Sequence, residues 1–191
     1  MMTPRAWILR IAESKSNYWM TYVMDVGLMV FFLAWDVVHF SVALTSVAVL
    51  FVIGAATWTL SEYLFHRWLY HLGFEMARAG HEKHHQNPKG YLAVPWFFSP
   101  ILFVPPQQLI AGWFGVHGAS AFFAGWFAGL ITYSYLHHCL HHYNLTFAWY
   151  RHLQSQHRLH HAFPETNYGV TTRYWDRVFR TEFRKGSPRE S

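Results

Sequence analysis

All 15 Lys and Arg residues of this 191-residue chain fall in three segments, Arg5–Lys15, Arg67–Lys89 and Arg151–Arg189. None lies between Ser16 and His66, and none between Gly90 and Tyr150. A helix crossing a bilayer core about 30 Å thick needs about 20 mostly apolar residues, and the stretches free of Lys and Arg supply four candidates. The first is roughly Tyr18 to Phe40, with Asp25 and Asp36 inside it, and the second runs from Val42 to about Tyr63. The third, roughly Tyr91 to Phe114, is interrupted by Pro95, Pro100, Pro105 and Pro106. Proline lacks an N–H and clashes with the preceding turn, so a broken or tilted span, or a re-entrant hairpin, is expected there. The fourth, Ala119 to Leu136, carries Gly125 and Gly129 four apart, a spacing that suits close helix packing.

Composition agrees. Charged residues make up 13% of the chain and hydrophobic residues 52%, against about 25% charged in an ordinary soluble domain. That leaves too few charges to cover a soluble surface, and it argues against a soluble enzyme, a disordered protein and a nucleic-acid binder. Cys139 is the lone cysteine, which excludes a disulfide framework and a cysteine-based zinc finger.

With four crossings the three basic segments share one side, and the positive-inside rule makes that side cytoplasmic, together with both termini. The opening MMTPRAWILRIAESKSNY has charges but no apolar run ending in a small-residue cleavage site, so no signal peptide is read. The expected organisation is one integral-membrane domain over residues 1–191, with a core of about 18–183 and a polar, frayed tail at 184–191.

Histidine is as frequent as Lys and Arg together, and 13 of the 15 lie in two windows. His66, His71, His81, His84 and His85 follow the second span. His137, His138, His141, His142, His152, His157, His160 and His161 follow the fourth. Both windows fall on the expected cytoplasmic side. HEKHH (His81–His85) and HRLHH (His157–His161) share the pattern His-x-x-His-His. On a helix i, i+3 and i+4 lie on one side, so each box is expected to aim three imidazoles at one point. His137 and His141, like His138 and His142, are i and i+4. His66 and His71 are five apart, about 140° around an α-helix, and are expected to approach a metal pair from different angles. If the second span stays helical from Val42 to Leu72 it is about 46 Å long, so these two ride on a projection beyond the bilayer core.

Neutral imidazole is a ligand for Zn, Fe, Cu and Ni. One tetrahedral metal needs four ligands, so ten histidines imply two metals with about five each. His39, His117 and His152 are read as ordinary solvated or hydrogen-bonded side chains.

These residues resemble the fatty acid hydroxylase/sterol desaturase superfamily of membrane di-metal oxygenases. The match is carried by HRWLYH, GHEKHHQNP, YSYLHHCLHHY and HRLHHAFPETNYGVTTRYWDRVFRT, from about Ser61 to Thr181. It is closest to the sphingolipid fatty acid 2-hydroxylases. The resemblance implies an all-α, four-span transmembrane bundle with a cytoplasmic histidine-rich helical cap that holds a di-metal centre. The implied ligands are His66, His71, His81, His84, His85, His137, His141, His157, His160 and His161. Two features depart from the pattern. The third box is doubled, so His138 and His142 compete for ligand roles, and His137 with His142 reads as the His-x4-His of carotenoid ring hydroxylases. There is also no room for the fused cytochrome b5 domain of the eukaryotic enzymes. A separate electron donor of ferredoxin or cytochrome b5 type is therefore implied.

The implied activity is O2-dependent oxidation of a lipid C–H bond, with 2-hydroxylation of a fatty acyl chain first. Carotenoid or sterol hydroxylation or desaturation is the alternative. Zinc has no redox chemistry, so two irons are the working metals and zinc a substitute. Glu62, Glu82, Asn167 and Asp176 are candidates to orient ligating histidines, against helix-cap or surface roles. Trp96, Tyr168 and Trp175 are candidates to line an acyl path, against plain interfacial anchoring. The basic residues Arg173, Arg177, Arg180, Arg184 and Lys185 are read chiefly as topology signals, with an anionic head group as the alternative. A metal transporter is disfavoured, because transport needs polar ligands near the bilayer midplane. A b-type haem protein leaves the paired histidines unexplained.

Overall fold

The structure is a computed structural model and describes residues 3–185; the end of the expected polar tail lies outside them. The described residues are helical, with no strand. In chain order the helices are α1 (Pro4–Ala12), α2 (Lys15–His39), α3 (Leu44–Leu64), α4 (Glu75–Gln86), α5 (Phe98–Gln107), α6 (Ala119–His142), α7 (Ala148–Ala162) and α8 (Tyr174–Val178). Two π-helical segments extend them, Phe65–His71 after α3 and Gln108–Trp113 after α5.

The chain divides into two compact units, Met1–Trp58 with Gly90–Thr132, and Thr59–Lys89 with Tyr133–Ser191. The divisions fall within α3 and α6, so each of these helices gives its first part to the first unit and its last part to the second.

In the first unit, α2 starts where Ser14 Oγ accepts from the backbone N–H of Asn17 at 3.1 Å, the N-cap arrangement that satisfies an orphan helix donor. The buried Asn17 side chain donates to the carbonyls of Ala93 and Val94, both at 3.3 Å, and accepts from Trp96 N–H at 3.0 Å. Asp36, one of the two acids that make the first span unclean, is fully buried, and its Oδ2 accepts from Ala121 N–H at 2.7 Å. A carboxylate thus meets the positive first turn of α6. Phe32 packs between Phe123 and Phe127, each at 5.6 Å between ring centroids.

The glycine spacing has its expected use. A Cβ on Gly125 would stand 1.9 Å from the Phe51 carbonyl oxygen, and one on Gly129 would stand 2.4 Å from Trp58 Cβ. Gly54 is reciprocal, with Phe122 O at 2.0 Å from its would-be Cβ. At Gly54 and Gly125 the facing atoms are backbone and at Gly129 they are the Trp58 side chain, so α3 and α6 leave no room for a side chain at these points.

The proline-rich third stretch is helical only from Phe98 on, so its interruption falls at Pro95 and not at Pro105 and Pro106. Residues 87–97 are non-helical, Pro105 and Pro106 lie inside the ten-residue α5, and the helix passes at once into the π-helical turn. Helices Lys15–His39 and Leu44–His71 are long and apolar enough to cross a membrane.

In the second unit, Cys139, Leu140, Tyr150 and Val170 form a small buried core, with Tyr133, Leu136 and Leu153 packed on it. The last carbonyls of α6 are satisfied from α7. Tyr150 Oη lies 2.6 Å from Cys139 O and 3.0 Å from Tyr143 O, and Gln154 Nε2 lies 2.8 Å from both Leu140 O and Tyr143 O. This fixes α7 against the end of α6, and both helices carry histidines.

Candidate metal centre

The π-helical segment decides how the first histidines point. Its hydrogen bonds close at i+5 rather than i+4, so a residue five positions on returns above the first. His66 and His71 therefore face the same way and join one group, with ring centroids 5.3 Å apart. The expectation that they approach from different angles assumed an α-helix and is corrected.

The ten candidate ligands gather in the second unit as two groups of five. One holds His66, His71, His81, His85 and His160; the other holds His84, His137, His141, His157 and His161. Within each group, one ring nitrogen per residue lies within 4.8 Å of all the others. The expectation that each His-x-x-His-His box serves one point is also corrected. His81 and His85, at i and i+4, go to the first group and His84 to the second, whereas His157 and His161 go to the second and His160 to the first. At 100° per residue, i and i+4 differ by about 40° and adjacent residues by about 100°, so the middle histidine turns away.

In the first group Nε2 of His81 lies 3.0 Å from that of His66, 3.1 Å from that of His71 and 3.0 Å from that of His85. Nε2 of His160 lies 3.1 Å from that of His85 and 3.3 Å from that of His71. In the second group Nε2 of His141 is 3.1 Å from that of His137 and 2.8 Å from that of His157, which is 3.1 Å from that of His161. With metal–nitrogen bonds of about 2.1 Å, ligands at right angles sit about 3.0 Å apart and tetrahedral ligands about 3.4 Å. The spacing therefore fits a shell of more than four ligands. His84 Nε2 is buried with no hydrogen-bond partner, an acceptor that a cation would satisfy.

Burial favours the neutral ligand form. It lowers the basicity of His81, His84, His157 and His160, and the neighbouring imidazoles lower it further. His85 is pushed down to about 3 and His161 to about 4, again mainly by burial.

The polar residues expected to orient ligands act differently. Glu82 is exposed and accepts from Gln86, so it orients no histidine. Glu62, Asn167 and Asp176 are buried but do not hydrogen-bond a histidine; they fix the loop that does. Glu62 accepts from the N–H groups of Val170 and Thr171, at 2.5 and 2.9 Å, and from the Thr171 hydroxyl. Asp176 accepts from Tyr168 N–H at 2.8 Å, Gly169 N–H at 2.9 Å and the Thr181 hydroxyl at 2.7 Å. Asn167 takes a left-handed φ of 54° and accepts from Phe183 N–H at 2.9 Å. The loop then presents two carbonyls: Tyr168 O accepts from His66 Nδ1 at 2.5 Å and Thr166 O from His160 Nδ1 at 2.8 Å. A main-chain carbonyl has no side-chain signature, and so it escaped the sequence reading; the only sequence signal was the turn residues Asn167 and Gly169 beside it.

Tyr168 is buried and meets His66, His71 and His160 ring to ring at 5.4–5.8 Å. Trp175 donates to Thr59 Oγ1 at 3.0 Å, and Trp96 packs on Phe97 within the first unit. Two tyrosines absent from the sequence reading stack on ligand candidates, Tyr70 on His81 and Tyr133 on His137.

His138 and His142 stand outside both groups and stack on each other at 4.1 Å, whereas His137 and His141 lie together in the second group. His39 stacks on Trp35, His117 stacks on Phe40, and His152 accepts from Arg173 at 2.9 Å. Arg173 and Arg177 both pair with Glu182, at 2.6 and 3.3 Å.

Comparison with known proteins identifies the family. The family model described as fatty acid hydroxylase matches residues 51–181. The ceramide very long chain fatty acid hydroxylase of Schizosaccharomyces pombe is 33% identical over 76% of this chain and 44% of its own length. A dihydroceramide fatty acyl 2-hydroxylase of Arabidopsis thaliana is 33% identical over 67% of this chain and 58% of its own length. The chain thus spans about half the length of these curated relatives. A solved structure of full-length scs7p, in which only the hydroxylase domain is visible, superposes with a TM-score of 0.76 at 28% identity, covering 95% of this chain and 72% of that one. The family match runs through all four histidine boxes, and the chain belongs to the fatty acid hydroxylase family.

Proposed function

We propose that this chain is an integral-membrane, O2-dependent di-iron oxygenase that hydroxylates a lipid C–H bond, position 2 of a fatty acyl chain. The observation that carries the reading is the convergence of ten imidazoles as two groups of five. The acyl substrate follows the names of both relatives, a ceramide very long chain fatty acid hydroxylase and a dihydroceramide fatty acyl 2-hydroxylase, and the position follows the second.

Iron, when bound, supplies the O2 chemistry that breaks an unactivated C–H bond; imidazole alone cannot. The rest is the work of this chain's residues. His66, His71, His81, His85 and His160 would hold one metal, and His84, His137, His141, His157 and His161 would hold the other. The carbonyls of Tyr168 and Thr166 keep the Nδ1 hydrogens of His66 and His160, so both rings offer Nε2 to the metal. Burial of His66, His157 and His160 excludes water from the inner side of the groups. The Tyr168 ring flanks three of the ligands, and it and Trp175 are the aromatic residues beside which an acyl chain would lie.

The membrane reading has its own support. The buried residues of α2 are Asn17, Asp25, Leu28, Phe32 and Asp36, while Val23, Val26, Val30, Val37 and Val38 are exposed. Polar groups inside and valines outside is the arrangement of a helix that faces lipid. We read four spans in a single membrane domain, with both termini and the histidine segments on the cytoplasmic side, from the placement of the basic residues. Electrons come from a separate ferredoxin-type or cytochrome b5-type donor.

The test is an untargeted lipid profile of an aerobic host expressing the chain, beside one expressing His84→Ala. New 2-hydroxy acyl lipids in the wild type alone are the expected result. Hydroxylated carotenoids or sterols would keep the chemistry and change the substrate. Absence of bound metal from the purified protein would sink the reading.

A further inference from the structure

We infer that the two histidine groups are unequal metal sites: the group containing His66 and His160 loads first and holds metal more tightly than the group containing His157. The inference rests on the metal-centre reading and extends it to the order and strength of loading, and to Glu62 and Asp176 as positioning residues.

A metal needs the lone pair on the nitrogen that faces it, so the single hydrogen of a neutral imidazole must sit on the other nitrogen. In the first group the protein has already placed that hydrogen. Tyr168 O and Thr166 O only accept, so Nδ1 of His66 and of His160 must donate, at 2.5 and 2.8 Å. Both Nε2 atoms then face the group as bare lone pairs. The two carbonyls do not drift, because the loop that bears them is pinned by buried carboxylates. Glu62 takes the N–H groups of Val170 and Thr171, and Asp176 takes those of Tyr168 and Gly169.

The second group lacks this device at its most buried member. His157 is 2% exposed, and its Nδ1 is a buried atom with no hydrogen-bond partner. Its Nε2 stands 2.8 Å from His141 Nε2, an N–H···N distance. Without metal, the favourable place for the His157 hydrogen is therefore the inward nitrogen, bridging to His141. Loading must move it to Nδ1, where it finds no acceptor. His161, half-buried, meets the backbone of His85, but nothing comparable serves His157. Outer partners of this kind are worth about 10–100-fold in metal affinity.

The experiment is a cobalt(II) titration of the metal-free, full-length protein in detergent, read by visible absorption and calorimetry. The expected result is two classes of site separated by at least about tenfold. His160→Ala removes the tight class and leaves the weak one; His157→Ala does the reverse. Glu62→Gln, with Asp176→Asn as a second variant, weakens the tight class by about 10–100-fold and leaves the weak class in place. A merely structural role for these carboxylates would weaken both classes together, and that result would overturn their assignment as positioning residues. Two classes of equal affinity, or loss of the tight class in His157→Ala, would overturn the inference while keeping the metal centre. Failure to bind cobalt at all would overturn the metal-centre reading itself.

Discussion

His66 and His71 are five residues apart and share one five-histidine group, because the backbone between them is π-helical. An α-helix would have turned one of them away by about 140°. The same angular logic acts in reverse at the His-x-x-His-His boxes, where α-helical geometry sends the middle histidine of each triplet to the other group.

Adjacent histidines therefore serve different groups. His84→Ala strips the second group and His85→Ala the first, so each variant should retain one metal per chain in place of two. His142→Ala, outside both groups, should retain both. Elemental analysis of the purified variants checks this, and loss of both metals in His142→Ala would refute the assignment of the third box.

The approach of α3 to α6 requires glycine. Gly125→Val places a Cβ 1.9 Å from the Phe51 carbonyl oxygen, which cannot move without its helix. Detergent-extracted Gly125→Val should be aggregated on gel filtration. Gly80→Ala, where a Cβ meets nothing within 4 Å, should instead raise the melting temperature. Relief of glycine's entropy in a helix is worth about 0.5–1 kcal/mol.

Asp176 holds the loop through three donors. Asp176→Asn keeps the size and turns an NH2 toward one of those donors, leaving a buried pair unmatched. The expected cost is about 1–3 kcal/mol, read as a lower melting temperature. A melting temperature equal to wild type would show that the carboxylate does not fix the loop.

Acid should destabilise the metal-free protein. The unfolded chain protonates its histidines below about pH 6.5, but in the fold burial pushes His85 to about 3 and His161 to about 4. Between those limits the unfolded state binds more protons, so stability falls as pH falls. Above pH 6.5 both states hold neutral imidazole and the effect vanishes. Thermal unfolding of the metal-free protein from pH 8 to pH 5 should show a flat region and then a decline that starts near pH 6.5. A melting temperature that rises toward pH 5 would contradict neutral, buried histidines.

The sequence alone determined which residues meet. Its histidine spacings, read with the family resemblance they carry, point to the ten side chains that gather, its apolar stretches account for α2 and α3, and Gly125 and Gly129 foretell the close helix approach. These signals are local, since periodicity, residue type and hydropathy can be read one turn at a time. Only the tertiary structure decided how the ten divide. The split depends on a π-helical register after α3, which no spacing rule anticipates, and on 100° steps around α4 and α7 seen from both sides at once. It also decided that Glu62 and Asp176 act through the backbone of the 165–172 loop. A carbonyl is common to every residue, so its role appears only when the fold brings it against an imidazole.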